Sequence, residues 1–431
     1  MGRTRLIIAA SFTGSLGWGT ILPFQYAYVV DARHWGASTG MLAGTLFCIG
    51  AVIAAPLAGR LADRLSAGRL AVQLELLAGV ACLAMGFAAS PTTFLAAMFV
   101  FGAAVTAAAP ATQVLVLESV PPTERRAVFA YQFTSMALGM AVGAFAAGLV
   151  VDLDTTTGMW PAFGAAALGF AVSASFLSAA ARTASSDGTV IAPSGDPLTS
   201  ELDGWRTYRH LARNRQVRLL GLVSIALAAG FYAQFETGLP AFALQSLSVD
   251  PTIVGTAAAV NCLVIVGLQW LVVRLTGDNQ GAGLLAAVGA IWVGSWLLLE
   301  AALFTSAQVA SVMFVVAFAI FAVGETMYAP ILSPLTAAVA PEGMVGTTLG
   351  ALAALRTGIS AVGPLVAGAL LAFDLPHVFV LVHVVINAAA VVLAIRLLRV
   401  QTSASERVDT GHDGTRGHPG TSPAASPLPA A

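Results

Sequence analysis

The chain has 431 residues, 58% of them apolar and only 10% charged, with a mean hydropathy of +0.85. Soluble proteins carry about 25% charged residues, so a water-soluble globular fold is excluded, and a net charge of −1 offers nothing to a nucleic-acid backbone. Cys48, Cys82 and Cys262 sit inside apolar runs at unrelated spacings, which fits neither a disulfide framework nor a metal site.

Twelve apolar runs approach the ~20 residues a helix needs to cross the hydrocarbon core. In the first half they are predicted over 6–30, 38–58, 69–89, 93–119, 127–150 and 159–181. The first is too long for a signal-peptide core and lacks a clear cleavage site, so it reads as a spanning helix. Residues 183–204 follow, rich in Ser, Gly, Pro and Thr, and read as a flexible linker. From Trp205 to Arg218, arginines 206, 209, 213 and 215 alternate with Trp205, Tyr208 and Leu211. That pattern predicts a short basic helix on the inner membrane face. Six more spans are predicted over 217–245, 252–273, 281–303, 307–339, 346–372 and 376–398; the long fourth one must tilt or leave the core. The polar tail, 401–431, is expected to be disordered, with His412 and His418 solvated.

Lipid tolerates no open backbone, so a helical bundle is the economical solution. The expectation is an all-α integral membrane protein divided at 1–182, 183–216, 217–400 and 401–431. All twenty Lys/Arg residues are arginine. With the N-terminus inside, Arg33 is the one loop arginine that falls outside, whereas Asp31, Asp152, Asp154, Asp250 and Asp374 lie in outer loops. The positive-inside rule then puts both termini in the cytoplasm. The arginine-only usage, with abundant Ala and Gly, points to a high-GC bacterium and its cytoplasmic membrane.

Residues 102–148 and 322–368 repeat one pattern 220 positions apart. Pro110 answers Pro330, Pro121 answers Pro341, Gly143 answers Gly363 and Gly148 answers Gly368. Half-length duplication of membrane helices is a common plan of secondary transporters.

Gly59-Arg60-Leu61-Ala62-Asp63-Arg64, between spans two and three, resembles the signature loop of the major facilitator superfamily. The glycine permits a tight turn, and Asp63 can bridge arginines or cap a neighbouring helix N-terminus. The resemblance implies two pseudo-symmetric six-helix bundles, with this loop (Gly59, Arg60, Asp63, Arg64) gating alternating access. Gly139, Gly143 and Gly148 on span five, and Gly358, Gly363-Pro364 and Gly368 on span eleven, resemble the glycine-rich antiporter motif of the same family. Ala144 stands where span eleven has Pro364. These residues are expected to pack helices closely and, at the proline, to allow a kink. Tyr232-x-Gln234-Phe235-Glu236 and Gly324-Glu325-Thr326-Met327-Tyr328-Ala329-Pro330 resemble helices seven and ten of bacterial drug:proton antiporters. Span four has Met98, not arginine, four residues before Gly102, and span one carries no acid. Any proton coupling therefore falls to other residues.

Charges inside spans cost about 2.5–3.5 kcal/mol each on insertion scales, so they face a cavity or a partner. Glu118 and Glu300 lie near span ends, and Glu75 occupies supporting span three, where it could pair with a loop arginine. The family's helices seven and ten line the central cavity, which makes Glu236 and Glu325 the proton-coupling candidates, with Arg356 as counter-ion; a static ion pair is the structural alternative. The same placement implies that Trp18, Gln25, Tyr26, Gln113, Tyr232, Phe235 and Tyr328 line the cavity or its rim. Aromatic walls with a few polar groups suit amphipathic organic ligands. No Gly-Lys-Ser/Thr phosphate loop, catalytic triad or metal cluster is visible, so neither an enzyme nor a cofactor is expected. The reading is a monomeric proton-coupled exporter of hydrophobic small molecules. Import of a nutrient such as a sugar or organic acid, or a non-transporting scaffold or sensor, are the alternatives.

Overall fold

The computed structural model describes residues 2–186, 205–235, 238–276 and 281–413. Among these, twelve helices are long and apolar enough to cross a membrane. They are α1 Arg3–Ala32, α2 Ser38–Arg64, α3 Ala67–Gly86, α4 Pro91–Ser119, α5 Pro122–Gly148 and α6 Trp160–Arg182, then α7 Arg215–Phe235, α8 Thr252–Leu275, α9 Gly281–Ala302, α10 Ala307–Val339, α11 Val345–Ala372 and α12 Pro376–Ser403. A further helix, Gly238–Gln245, follows α7. The last helix runs on to Asp413, past the expected boundary at 400, and the helix Trp160–Ser186 runs into the expected linker 183–204, of which 187–204 lie outside the described residues, as do 414–431.

Local chemistry fixes the helix starts. Pro91 opens α4 behind a reciprocal cap, in which the Thr93 N–H donates to Ser90 Oγ (3.3 Å) and the Ser90 N–H to Thr93 Oγ1 (3.2 Å). Asn214 Oδ1 accepts from the N–H groups of Gln216 (3.0 Å) and Val217 (3.3 Å). This cap ends the connecting helix Trp205–Arg213 and begins α7, so the predicted 205–218 segment is two elements. The connecting helix does more than cover lipid: Thr207 and Leu211 are buried, and the Tyr208 hydroxyl donates to the Pro56 carbonyl of α2 at 3.2 Å. Burial raises the pKa of the Tyr208 hydroxyl, opposed by Arg60 beside it.

The contacts repeat six helices on. In the first half α1 packs on α5 and α6, α2 on α4, and α3 on α4 and α6; in the second α7 packs on α11 and α12, α8 on α10, and α9 on α10 and α12. Glycines show the same correspondence. A Cβ on Gly143 would overlap the Leu16 carbonyl of α1, and one on Gly363 the Ala233 carbonyl of α7. Gly139 lies likewise against Phe12. Gly148, Gly358 and Gly368 make no such approach; Gly368 has nothing within 4 Å of a built Cβ. Of these six glycines, Gly139, Gly143 and Gly363 are the ones at which two backbones meet, so the expected packing role falls on them. Pro364 lies inside α11, where it withdraws one helical N–H.

Gly363→Val is expected to destabilise the chain by about 2 kcal/mol or more, since no flexible side chain can yield. Gly368→Ala should change stability by less than about 0.5 kcal/mol. Thermal unfolding of the two variants in the same detergent checks both.

Each half has its own aromatic core. Tyr28, Phe94 and Phe163 fill the first, and Phe231, Trp292, Trp296, Phe314 and Phe321 the second. A third cluster joins the halves at the arginine-rich end, where Leu349 of α11 is buried with Ile7, Val114 and Phe129, and Ala337 and Val345 pack against it.

Candidate functional site

The first candidate element is the seam between α2 and α11. Gly59 faces Gly346, and Gly350 faces Ala55, so closely that a Cβ on any of the three glycines would strike main-chain atoms. This close approach brings Asp63 to the first turn of α11. Its Oδ1 accepts from the Gly346 N–H, and Oδ2 from both the Thr347 N–H and hydroxyl, each at 2.6 Å. A carboxylate at a helix N-terminus satisfies orphan N–H groups and complements the dipole. Asp63 therefore ties the first half to the second through three charge-assisted bonds. Arg64 ends α2 beside it, and Arg3 and Glu118 lie near enough to interact electrostatically with each other. Arg60 reaches Tyr208 of the connecting helix. Arg125 closes the end of α4 by donating to the carbonyls of Leu117 (2.7 Å) and Val120 (3.1 Å).

The second element surrounds Glu325, which is 6% exposed at the middle of α10. Asn261 of α8 donates through Nδ2 to Glu325 Oε2 at 2.9 Å and to the Phe318 carbonyl at 3.3 Å. The Tyr232 hydroxyl of α7 also bonds the Glu325 carboxyl. Tyr232 and Tyr328 stand 5.5 Å apart between ring centroids, and Trp292 of α9 closes the group at 5.8 and 6.0 Å from them. Arg356 of α11 faces the Tyr328 hydroxyl without meeting strict hydrogen-bond geometry. Glu325 and Arg356 thus share one neighbourhood but form no ion pair: the carboxyl is held by an amide and a phenol. Arg356 acts electrostatically on Tyr232 and Tyr328 rather than bonding the Glu325 carboxyl. Glu236 lies outside the described residues.

A widened turn aims Tyr232. α7 carries a π-helical segment, Ala228–Tyr232, a feature that re-registers the side chains after it. Its Gly230 carbonyl accepts from Trp296 Nε1 at 2.7 Å and Asn387 Nδ2 at 3.1 Å. Asn387 also donates to the His383 carbonyl at 2.8 Å. The His383 ring stacks on Trp296 at 4.4 Å and, through Nδ1–H, donates to the Phe379 carbonyl at 2.6 Å. Asn387→Leu should cost about 1–3 kcal/mol through the lost bonds and the crowding, read as a lower melting temperature in detergent.

The expected cavity residues do not gather in one place. Trp18 packs on Phe47 (5.0 Å) and Phe101 (5.6 Å) in the first half. Tyr26 is 48% exposed, and Gln25 and Gln113 are half-buried. Phe235 packs on Phe231 and Phe318. Of them only Tyr232 bonds Glu325, and Tyr328 packs on Tyr232. Asn261, Trp292 and Gln269, whose Nε2 donates to the Thr326 carbonyl at 3.1 Å, were not expected. Two amides on one span, eight residues apart, were the signal, since polar side chains in lipid seek interhelical partners. Among the described residues no three side chains are grouped to hold a metal.

Two six-helix bundles with repeated packing, joined through Asp63, make up a twelve-helix membrane protein. The chain belongs to the Major Facilitator Superfamily, whose sequence profile matches residues 7–360. Solved structures share the fold. The human organic anion transporter MFSD10 (TETRAN) has a TM-score of 0.70 at 15% identity, covering 91% of this chain and 98% of that one. A bacterial homologue of the iron transporter ferroportin, in an outward-facing state, gives 0.69 at 16%, covering 93% and 100%. The E. coli fucose:proton symporter FucP gives 0.65 at 15%, covering 91% and 98%. At such identities the likeness is one of fold. No curated protein sequence matches the chain.

Proposed function

We propose that the protein is a proton-coupled exporter of hydrophobic or amphipathic small molecules, akin to the drug:proton antiporters, working by alternating access. The observation that carries this reading is the setting of Glu325. A carboxyl held by Asn261 and Tyr232, rather than by a fixed cation, can gain or lose a proton without breaking an ion pair. Proton exchange and substrate contact then meet in one aromatic-walled group formed by Tyr232, Tyr328 and Trp292, with Arg356 at its edge. Asp63, Gly59, Arg60 and Arg64 form the gate, which closes one end while the other opens. The arginine distribution supports a bacterial cytoplasmic membrane, both termini inside, and a monomer suffices because each chain contains both halves.

Everted membrane vesicles test direction. With an imposed inward-acid gradient, vesicles carrying the protein should accumulate a lipophilic dye faster than vesicles without it, and a protonophore should abolish the difference. Accumulation of sugars or organic acids in right-side-out vesicles, with no dye transport, would establish the importer instead. Absence of any gradient-driven flux, with Glu325 and Arg356 freely replaceable, would mark a scaffold.

A further inference from the structure

Glu75 belongs to neither element described above. It lies eight residues in from Ala67 on α3, roughly 12 Å along the helix at ~1.5 Å per residue. One carboxyl oxygen, Oε2, is buried and has no hydrogen-bond partner among the described residues. Ser173 of α6 is the side chain that bonds the group. α1 closes over the pair at Gly14, where a built Cβ would stand 3.2 Å from Glu75 Oε2 and 3.3 Å from Ser173 Oγ. On either side, the backbones of α1 and α6 touch. A Cβ on Gly17 would come within 2.8 Å of the Ala166 carbonyl, and one on Gly169 within 2.7 Å of the Thr13 carbonyl.

Among the described residues no charge balances this carboxyl, where the sequence allowed pairing with a loop arginine. On α1 the charged residues are Arg3 and Arg5 at one end and Asp31 at the other; α6 has Arg182 at its end, α4 Glu118, α5 Glu124, Arg125 and Arg126, and α2 Arg60, Asp63 and Arg64. Arg69, on α3 itself, lies nearer the arginine-rich end, and no charged group among the described residues acts on Glu75 electrostatically. An ionised carboxylate with an unpartnered oxygen at mid-membrane costs several kcal/mol. A carboxylic acid needs one acceptor for its proton, and Ser173 Oγ supplies it.

We propose that Glu75 and Ser173 form a second proton-binding site, in the first half and independent of Glu325. The proton is held between the Glu75 carboxyl and Ser173 Oγ while α1 packs over them. When α1 moves off Gly14 and water enters, the O–H bond breaks, the proton passes to water and the carboxylate is left hydrated. The proposal stands whether the protein exports or imports.

Infrared spectra of the purified full-length chain in lipid nanodiscs, taken through a pH titration, test it. At neutral pH, Glu75→Gln should remove one buried protonated-carboxyl band that Glu325→Gln leaves in place. Ser173→Ala keeps the acid but removes its acceptor, and should shift that band. Hydrogen exchange of α1 peptides, corrected for intrinsic rates, should rise with pH in the unmodified chain and stay flat in Glu75→Gln. A band unchanged in both Glu75→Gln and Ser173→Ala, or α1 exchange with the same pH dependence in Glu75→Gln, would overturn the proposal. Failure of dye transport alone would touch the exporter reading and leave this site standing.

Discussion

Asp63→Ala is expected to open the arginine-rich end. The substitution removes three charge-assisted bonds to α11, leaving the Gly346 and Thr347 N–H groups without their cap. Truncating one partner of a buried hydrogen-bonded charge costs about 2–5 kcal/mol. Because this contact exists only while the halves touch, most of that loss falls on the closed state. A change of about 3 kcal/mol moves a two-state equilibrium roughly 150-fold. Spin labels on Leu65 and Glu342, both exposed beside the seam, would read the change in a chain lacking its three cysteines. The distance distribution should lengthen and broaden in Asp63→Ala, with Asp63→Asn between the two. An unaltered distribution would mean that the glycine contacts alone hold the seam.

Glu325→Gln is expected to separate folding from coupling. Glutamine keeps the oxygen that accepts from Asn261 and adds no volume, so the α8–α10 contact survives and stability should move by less than about 1 kcal/mol. The amide cannot exchange a proton at any accessible pH. Proton-driven dye accumulation should fall to the level of empty vesicles, whereas exchange of internal for external dye at equal pH should persist. Loss of both activities with an unfolded chain would assign Glu325 a structural role, and retention of both would remove it from the coupling step.

The fold was largely legible in the sequence because lipid leaves few choices. An apolar run near twenty residues must be a helix, and a 220-residue repeat must be two copies of one bundle. The seam was legible in part. Asp63 was visible as a charge that either bridges arginines or caps a helix, but the partner helix starts at Val345, nearly three hundred residues on, and no local spacing encodes it. Glu325 was visible for the same reason, as a carboxyl too costly to leave in lipid. Its partners were not. Asn261 sits in an apolar run that reads only as a span, and Tyr232 reaches the carboxyl after a π turn. That turn depends on Trp296 and Asn387 reaching the Gly230 carbonyl from two other helices. Arg356 was visible as a charge inside a span, but its influence on Tyr232 and Tyr328 was not, because those residues lie on other helices. The glycines show the same limit. Gly143 and Gly148 look alike in the sequence, yet only Gly143 meets a neighbouring backbone.

The most direct measurement is of proton movement itself. The purified chain is placed in sealed liposomes containing a pH-sensitive dye, and lipophilic dyes, antibiotics and metabolites are added one at a time at equal pH on both sides. The account predicts that at least one amphipathic compound drives a proton flux in the unmodified protein and none in Glu325→Gln. A compound carried at the same rate by both proteins, with no proton movement in either, would contradict it.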